Sequence, residues 1–232
     1  MWMKIEEFKN ICSYGRWKVE FFSGELEIKI DSIYPVRQIG ELVKESKDTI
    51  DPQDSPNKMF NYIGLENIES LTGDLIGFSP KKGMEIKSRS KIFSSGDVLY
   101  GRLRPYLNKV FIARENFDPG LCSGEFYVLK PNKSKIRPIL LRYILASSFV
   151  VEHLAKFQSG AALPRVTLRD LLQMKIPVPP MNDQRHLESA LIAFEDHRRT
   201  IQKKVEKMPL ECMELLMGYL HEGCHSDILL PI

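Results

Sequence analysis

The chain has 232 residues, 43% of them hydrophobic and 27% charged, and a formal net charge of +3. That length holds one sizeable domain plus an appendage, and the apolar share is ample for a packed core. No run of eighteen apolar residues and no charged-then-apolar leader occurs, so neither a membrane span nor a secretion signal is expected.

The first segment, 1–30, reads as an extension that can add a short helix, with Trp2 and Trp17 as its large aromatic residues. A β-rich domain is expected over 31–181. Residues 60–63 read as a strand and 64–67 as its exit. The sequence LTGDLIGF returns the chain like a hairpin around Gly73 and Asp74. Residues 91–93, the turn SSGD and residues 98–100 give strand, turn, strand, with Gly96 and Asp97 as the turn. In GRLRPYL, Pro105 directs the backbone out of the sheet, which places Arg102, Arg104, Tyr106 and Asn108 on an exposed loop or strand edge. Two more strands follow at 109–113 and 126–129.

Residues 138–149 read as a helix with proline in its first turn and Leu140, Leu141, Ile144 and Leu145 on one face. Thr167 is placed to cap a short helix, because its hydroxyl can accept a free first-turn amide. A last strand is expected at 174–178, before Pro179 and Pro180. A heptad-patterned helix follows over 182–208, with Asn182 or Asp183 available as its cap. Leu187, Leu191, Phe194, Arg198, Ile201, Val205 and Met208 alternate steps of four and three, the a/d stripe of a coiled coil. Arg198 is the charged residue on that stripe, and a polar residue there fixes register or partner at a cost in stability. The alternative is an amphipathic helix lying on its own domain. Pro209 is expected to interrupt the pattern, with a second, shorter helix in the tail 209–232. The fold class is therefore mixed α/β (α+β), a β-rich domain with flanking helices followed by a long coiled-coil-type helix.

Charge is unevenly spread. Residues 81–114 carry nine Lys and Arg against two Asp and Glu, a local balance of +7. Phosphate backbones attract such a stretch, and arginine can pair bidentately with phosphate oxygens or a guanine edge. A solvated surface balanced in space by the acidic ends is the alternative. Cys12, Cys122, Cys212 and Cys224 stand far apart without a CxxC pair, which points to reduced thiols in a cytoplasm. His221, Cys224 and His225 form a loose cluster of ligand types, but without a second close cysteine no metal site is expected.

Four motifs in order, YIGLENI, GDVLYGRLRPYLNKV, LCSGEFYVLKP and FQSGAALPRVTLRDLLQMKIPVPPMNDQ, then a heptad helix, resemble one target-recognition domain of a type I restriction-modification specificity subunit. The resemblance runs from about residue 34 to 208. Gly124 departs from the pattern, where a small hydroxylated residue is expected. FFSGEL resembles the end of the family's helical connector, and the tail after Pro209 is divergent.

The resemblance implies a half-size reader of double-stranded DNA that recognises half of a split site. It would pair through its helix with a second copy or another specificity subunit. Direct groove contact is then expected from Arg89, Arg102, Arg104, Tyr106, Asn108 and Lys109, and phosphate contact from Lys81, Lys82, Lys87 and Lys91. Gln158, Ser159 and Arg165 would reach DNA or a partner from one loop. Methyltransferase subunits, together with a restriction or translocase subunit, are the other partners implied, and S-adenosylmethionine would bind in the methyltransferase partner.

No chemistry is expected of this chain itself. The amino-methyltransferase motif is absent, because Pro179 and Pro180 are preceded by Val178 and followed by Met181, and no glycine-rich turn suits a cofactor. Glu85 lies upstream of Asp118 and Pro119, the reverse of the usual nuclease order. Two other classes stay open: a basic RNA-binding protein, though without the aromatic signatures of single-strand readers, and a scaffold or inhibitor that binds only protein.

Overall fold

Side chains along the central strands alternate between two interiors. The computed structural model describes residues 32–114, 117, 119–155 and 163–222. In β8 (Val98–Gly101), Val98 and Tyr100 face one core and Leu99 faces the other; in β11 (Phe126–Pro131), Tyr127 and Leu129 oppose Phe126 and Val128. This is the period of two that a pleated strand imposes. Both faces are apolar because the sheet lies between two layers.

That sheet runs β2 (Val43–Ser46), β11, β8, β9 (Val110–Ile112), antiparallel throughout. On one face it packs with Leu141 and Leu145 of α1 (Pro138–Leu145), Val150 and Leu154 of α2 (Ser148–Ala155) and Leu171 of α3 (Leu168–Gln173). On the other it meets Ile63, Phe93 and Cys122 of a second sheet. The second sheet is ordered β3 (Thr49–Ile50), β7 (Ser90–Phe93), β10 (Gly120–Cys122), β5 (Tyr62–Ile63), with β10 and β5 parallel. Two short pairs complete the described strands: β1 (Val36–Gln38) with β12 (Lys175–Pro177), and β4 (Met59–Phe60) with β6 (Lys81–Lys82). Cys122 is fully buried between the sheets, and that burial pushes its thiol up to about 12, so it stays protonated.

Several local expectations are corrected. The strand expected over 60–63 is divided at Asn61, with Phe60 paired to Lys81 and Tyr62 to Leu121. Residues 91–100 do not close as a hairpin, because β7 and β8 belong to different sheets. The turn between them is still tight: the Ser94 amide donates to the Asp97 carboxylate at 2.9 Å, and the Asp97 amide to the Ser94 carbonyl at 3.0 Å. The helix expected over 138–149 breaks after Leu145, where the Ser147 hydroxyl donates to the Ile144 carbonyl at 2.7 Å and competes with helical bonding. Thr167 caps α3 as expected, accepting from the Asp170 amide at 3.2 Å.

The return around Gly73 forms as a turn closed by an Ile68–Leu75 bridge. Gly73 has a φ of +65°, and a Cβ there would lie 2.1 Å from the Val110 carbonyl oxygen, so no other residue fits without moving β9.

The chain divides into two compact units, Met1–Arg185 and His186–Ile232. Helix α4 (Met181–Glu222) is continuous for 42 residues and contains Pro209, so the break expected there is absent. An internal proline removes one backbone hydrogen bond and costs about 3 kcal/mol, but the residues after it include Leu, Glu and Met, which favour helix. Asn182 and Asp183 lie inside the first turn of α4 rather than at its cap. Gln184 anchors this start: buried, it accepts from the Arg137 amide at 2.9 Å and donates to the Lys135 and Pro179 carbonyls, both at 2.9 Å. Among the described residues no single helix is long and apolar enough to cross a membrane.

Candidate nucleic-acid interface

The segment after β8 leaves the sheet where Pro105 stands. Pro105 starts a 3-10 turn (Pro105–Leu107) bounded by Arg104 and Asn108, which are left-handed with φ of 48° and 49°. Backbone bonds fix its approach: Arg102 donates to the Glu125 carbonyl at 2.9 Å, Val166 to the Arg102 carbonyl at 3.1 Å, and Arg104 to the Pro164 carbonyl at 2.8 Å. Three segments distant in sequence therefore meet at one edge: 102–108, the turn before β11, and 163–166. Arg104 and Tyr106 are exposed on it, and Arg102 and Arg165 are half-buried.

Glu125 sits at the centre of this edge. Its carboxylate accepts from Arg102 Nε at 3.1 Å, from Arg165 Nε at 3.2 Å and from Arg165 Nη2 at 2.9 Å. The Arg102 guanidinium also lies 5.8 Å from the centre of the Tyr127 ring, whose hydroxyl donates to the Val166 carbonyl at 3.0 Å. Hydrogen bonding from Arg165, with the charge of both arginines, holds the Glu125 carboxyl below the ordinary glutamate range. A depressed folded pKa contributes stability that is full above the ordinary glutamate value of about 4.3 and is lost as pH falls through the folded value. The difference in thermal midpoint between the parent and Glu125→Gln is therefore expected to shrink as pH is lowered from 6 toward about 3; a constant difference in calorimetry across that window would reject the ion pair.

The basic stretch is not one surface in space. Lys81 Nζ lies 4.0 Å from Glu66 and 5.2 Å from the centre of the Tyr62 ring, and Tyr62 is hydrogen-bonded to Ser123 beside the Glu125 turn. Lys82, Lys87 and Arg89 are exposed, with Arg89 reaching Thr49 at 3.4 Å. Lys109 Nζ donates to the Leu65 carbonyl at 2.7 Å. Lys91 is turned onto Glu45 at 2.8 Å and is largely buried, so its charge is neutralised in place.

Asn108 is buried rather than exposed. Its side-chain amide donates to the Ala146 carbonyl at 2.6 Å, and its backbone carbonyl accepts from the Leu71 amide at 3.1 Å. Gln158 and Ser159 lie outside the described residues, as do 1–30 and the tail beyond Glu222, including Cys224 and His225. Gly124 is exposed with open space around a notional Cβ, so a hydroxylated residue would fit there equally well. Among the described residues no group of His, Cys, Asp and Glu is placed to hold a metal.

Two residues escaped the sequence reading. Glu125 lacked a local signal, since its partners lie 23 and 40 residues away. Arg142 had one: it interrupts the apolar face that Leu141 and Leu145 continue, the mark of a buried charge with specific partners. It is 3% exposed and bonds the Val110, Leu71 and Thr72 carbonyls.

On α4, Leu187, Phe194, Ile201, Val205 and Met208 of the heptad stripe are exposed, Phe194 by 73%, while Leu191 and Arg198 are half-buried. Arg198 also contacts Gln202 one turn on, at 3.2 Å. The same four-three spacing continues through Pro209 to Cys212 and Leu215, both exposed.

Residues 33–207 match the family model described as type I restriction modification DNA specificity domain. The chain belongs to that family. This specificity-domain chain is 30% identical over 192 residues to the type I restriction enzyme EcoDI specificity subunit of Escherichia coli, covering 82% of the chain and 40% of that protein. It is 29% identical over 185 residues to a putative type I restriction enzyme specificity subunit, MjaX, of Methanocaldococcus jannaschii, covering 77% and 43%. The chain thus spans less than half the length of these relatives. The crystal structure of an HsdS subunit from Thermoanaerobacter tengcongensis is similar, with a TM-score of 0.64 at 26% identity over 88% of this chain and 53% of that one. The mixed α/β architecture matches that HsdS subunit over 88% of this chain.

Proposed function

We propose that this chain reads half of a split site in double-stranded DNA and assembles through α4 with a second specificity chain. The observation that carries the reading is the gathering of Arg102, Arg104, Tyr106 and Arg165 at one edge of a DNA specificity domain. Arginine and tyrosine side chains on such an edge can enter a groove, while Lys81, Lys82, Lys87 and Arg89 supply charge toward phosphate. The exposed heptad stripe supports pairing. In this reading the chain contributes recognition and no catalytic step. Methyltransferase subunits supply S-adenosylmethionine and the chemistry, and a restriction or translocase subunit can join them.

Duplex binding measured across rising salt tests the reading, with single-stranded RNA as the contrast. Specific duplex binding with a steep salt slope is expected, because phosphate contacts release counterions. Arg102→Ala with Arg104→Ala should weaken duplex affinity by roughly tenfold to a hundredfold, the size of one or two lost charge-assisted contacts, with the protein still folded. Unchanged affinity in that double variant removes this edge from the interface. Preference for RNA, or no nucleic-acid binding, overturns the reading.

A further inference from the structure

A surface that reads DNA gains nothing obvious from a central carboxylate, yet Glu125 occupies that place. Its side chain is 26% exposed, between Arg102 at 35% and Arg165 at 38%, so all three are reachable from solvent. Bracing the three segments does not require it, since the backbone bonds at Arg102, Arg104 and Val166 already join them. We propose that Glu125 is a specificity-determining positioning residue, which orients the Arg102 and Arg165 guanidiniums for base edges and cancels part of their charge against indiscriminate attraction to phosphate. This inference rests on the DNA reading above.

A guanidinium on a flexible stem binds any phosphate, and such binding carries no sequence information. Held by Glu125, it is fixed in orientation and part of its charge is cancelled, so a phosphate gains less from it. A base edge met by an arginine that keeps its carboxylate partner adds to the existing bond instead. Arg102 engages Glu125 through Nε, one of the five donors in its planar fork. The carboxylate thus takes one of these donors, and the same guanidinium also hydrogen-bonds the Tyr127 hydroxyl. Arg165 is fixed more firmly, by the bidentate pair through Nε and Nη2.

The test uses the full chain and a duplex pool with a randomised core, read for affinity against salt, for sequence enrichment after selection and for thermal midpoint. Glu125→Gln keeps the size and removes the charge. It is expected to bind the unselected pool about three- to tenfold more tightly at low salt, with a salt slope steeper by about one. Its enrichment should fall about tenfold, the size of one bidentate base contact. Glu125→Asp keeps the charge but withdraws it by one methylene, and should keep the parent's slope while losing enrichment. Parental slope and enrichment in Glu125→Gln overturn the inference and leave the DNA reading intact. Equal weakening toward all duplexes, with enrichment unchanged, also overturns it, since that marks a brace. If Glu125→Gln fails to fold, lost enrichment in a folded Glu125→Asp supports the inference, and failure of both variants to fold overturns it. A parent that enriches no sequence defeats the DNA reading, and the inference falls with it.

Discussion

Arg142→Met is expected to lower the thermal midpoint of the folded chain by roughly 6–12 °C, from a loss of about 3 kcal/mol. The arginine is buried on α1, and its guanidinium donates to the carbonyls of Val110, Leu71 and Thr72. Methionine fills much of the volume but donates nothing, so these carbonyls are left without a donor they now have, at about 1–3 kcal/mol for each one that stays buried. Removing a desolvated charge offsets part of that loss. Lysine is expected not to rescue, because a single ammonium cannot span carbonyls on β9 and on the loop before Gly73 as a fork does.

The effect should reach the interface. Leu71 is held left-handed, with φ of 68°, by the Asn108 carbonyl on one side and Arg142 on the other. Asn108 closes the turn that displays Tyr106. Scanning calorimetry showing an unchanged midpoint would reject the role of Arg142 as the tie between the core and the turn that displays Tyr106.

On the proposed pairing through α4, Leu191→Asp with Ile201→Asp is expected to convert a pair of chains into monomers. Both residues lie on the heptad stripe of α4, with Ile201 48% exposed. An unpaired carboxylate buried in an apolar seam costs several kcal/mol, and two in each of two copies outweigh what a short coiled coil gains. The first compact unit should melt unchanged. Sedimentation that shows the same dimer would reject the seam. Leu215→Asp then locates its end, since the stripe continues beyond Pro209 in this structure. Weakened pairing is expected if the whole helix is used, and no change if the seam stops at Met208.

Local signals were dependable where chemistry within a few residues decided the outcome. Thr167 capped its helix, because a hydroxyl two or three residues before a free amide needs nothing else. Pro105 turned the chain out of the sheet, as a residue without an N–H must at the end of a strand. While β2, with Lys44 and Glu45 in its middle, was not legible, the other three of the four strands of the central sheet, β8, β9 and β11, were legible from their β-branched and aromatic runs. Their partners were not: β7 and β8 are separated by a tight turn yet pair in different sheets, a choice made by which apolar faces can be buried together. Pro209 shows the opposite limit, where the penalty was read correctly but the helix-forming residues around it prevailed.

By itself the sequence determined the family, the β-rich class, the long heptad helix and the basic middle of the chain, all of which follow from order and spacing along the backbone. Only the tertiary structure decided which of those charges face outward together. It turned Lys91 onto Glu45 and Asn108 into the core, and brought Arg165 beside Arg102 across a gap of more than sixty residues. The reason is that a carboxylate on a distant turn, Glu125, holds two guanidiniums only once the strands bearing them have paired. Charge can be counted along a chain, but its neutralisation is set by distance in space.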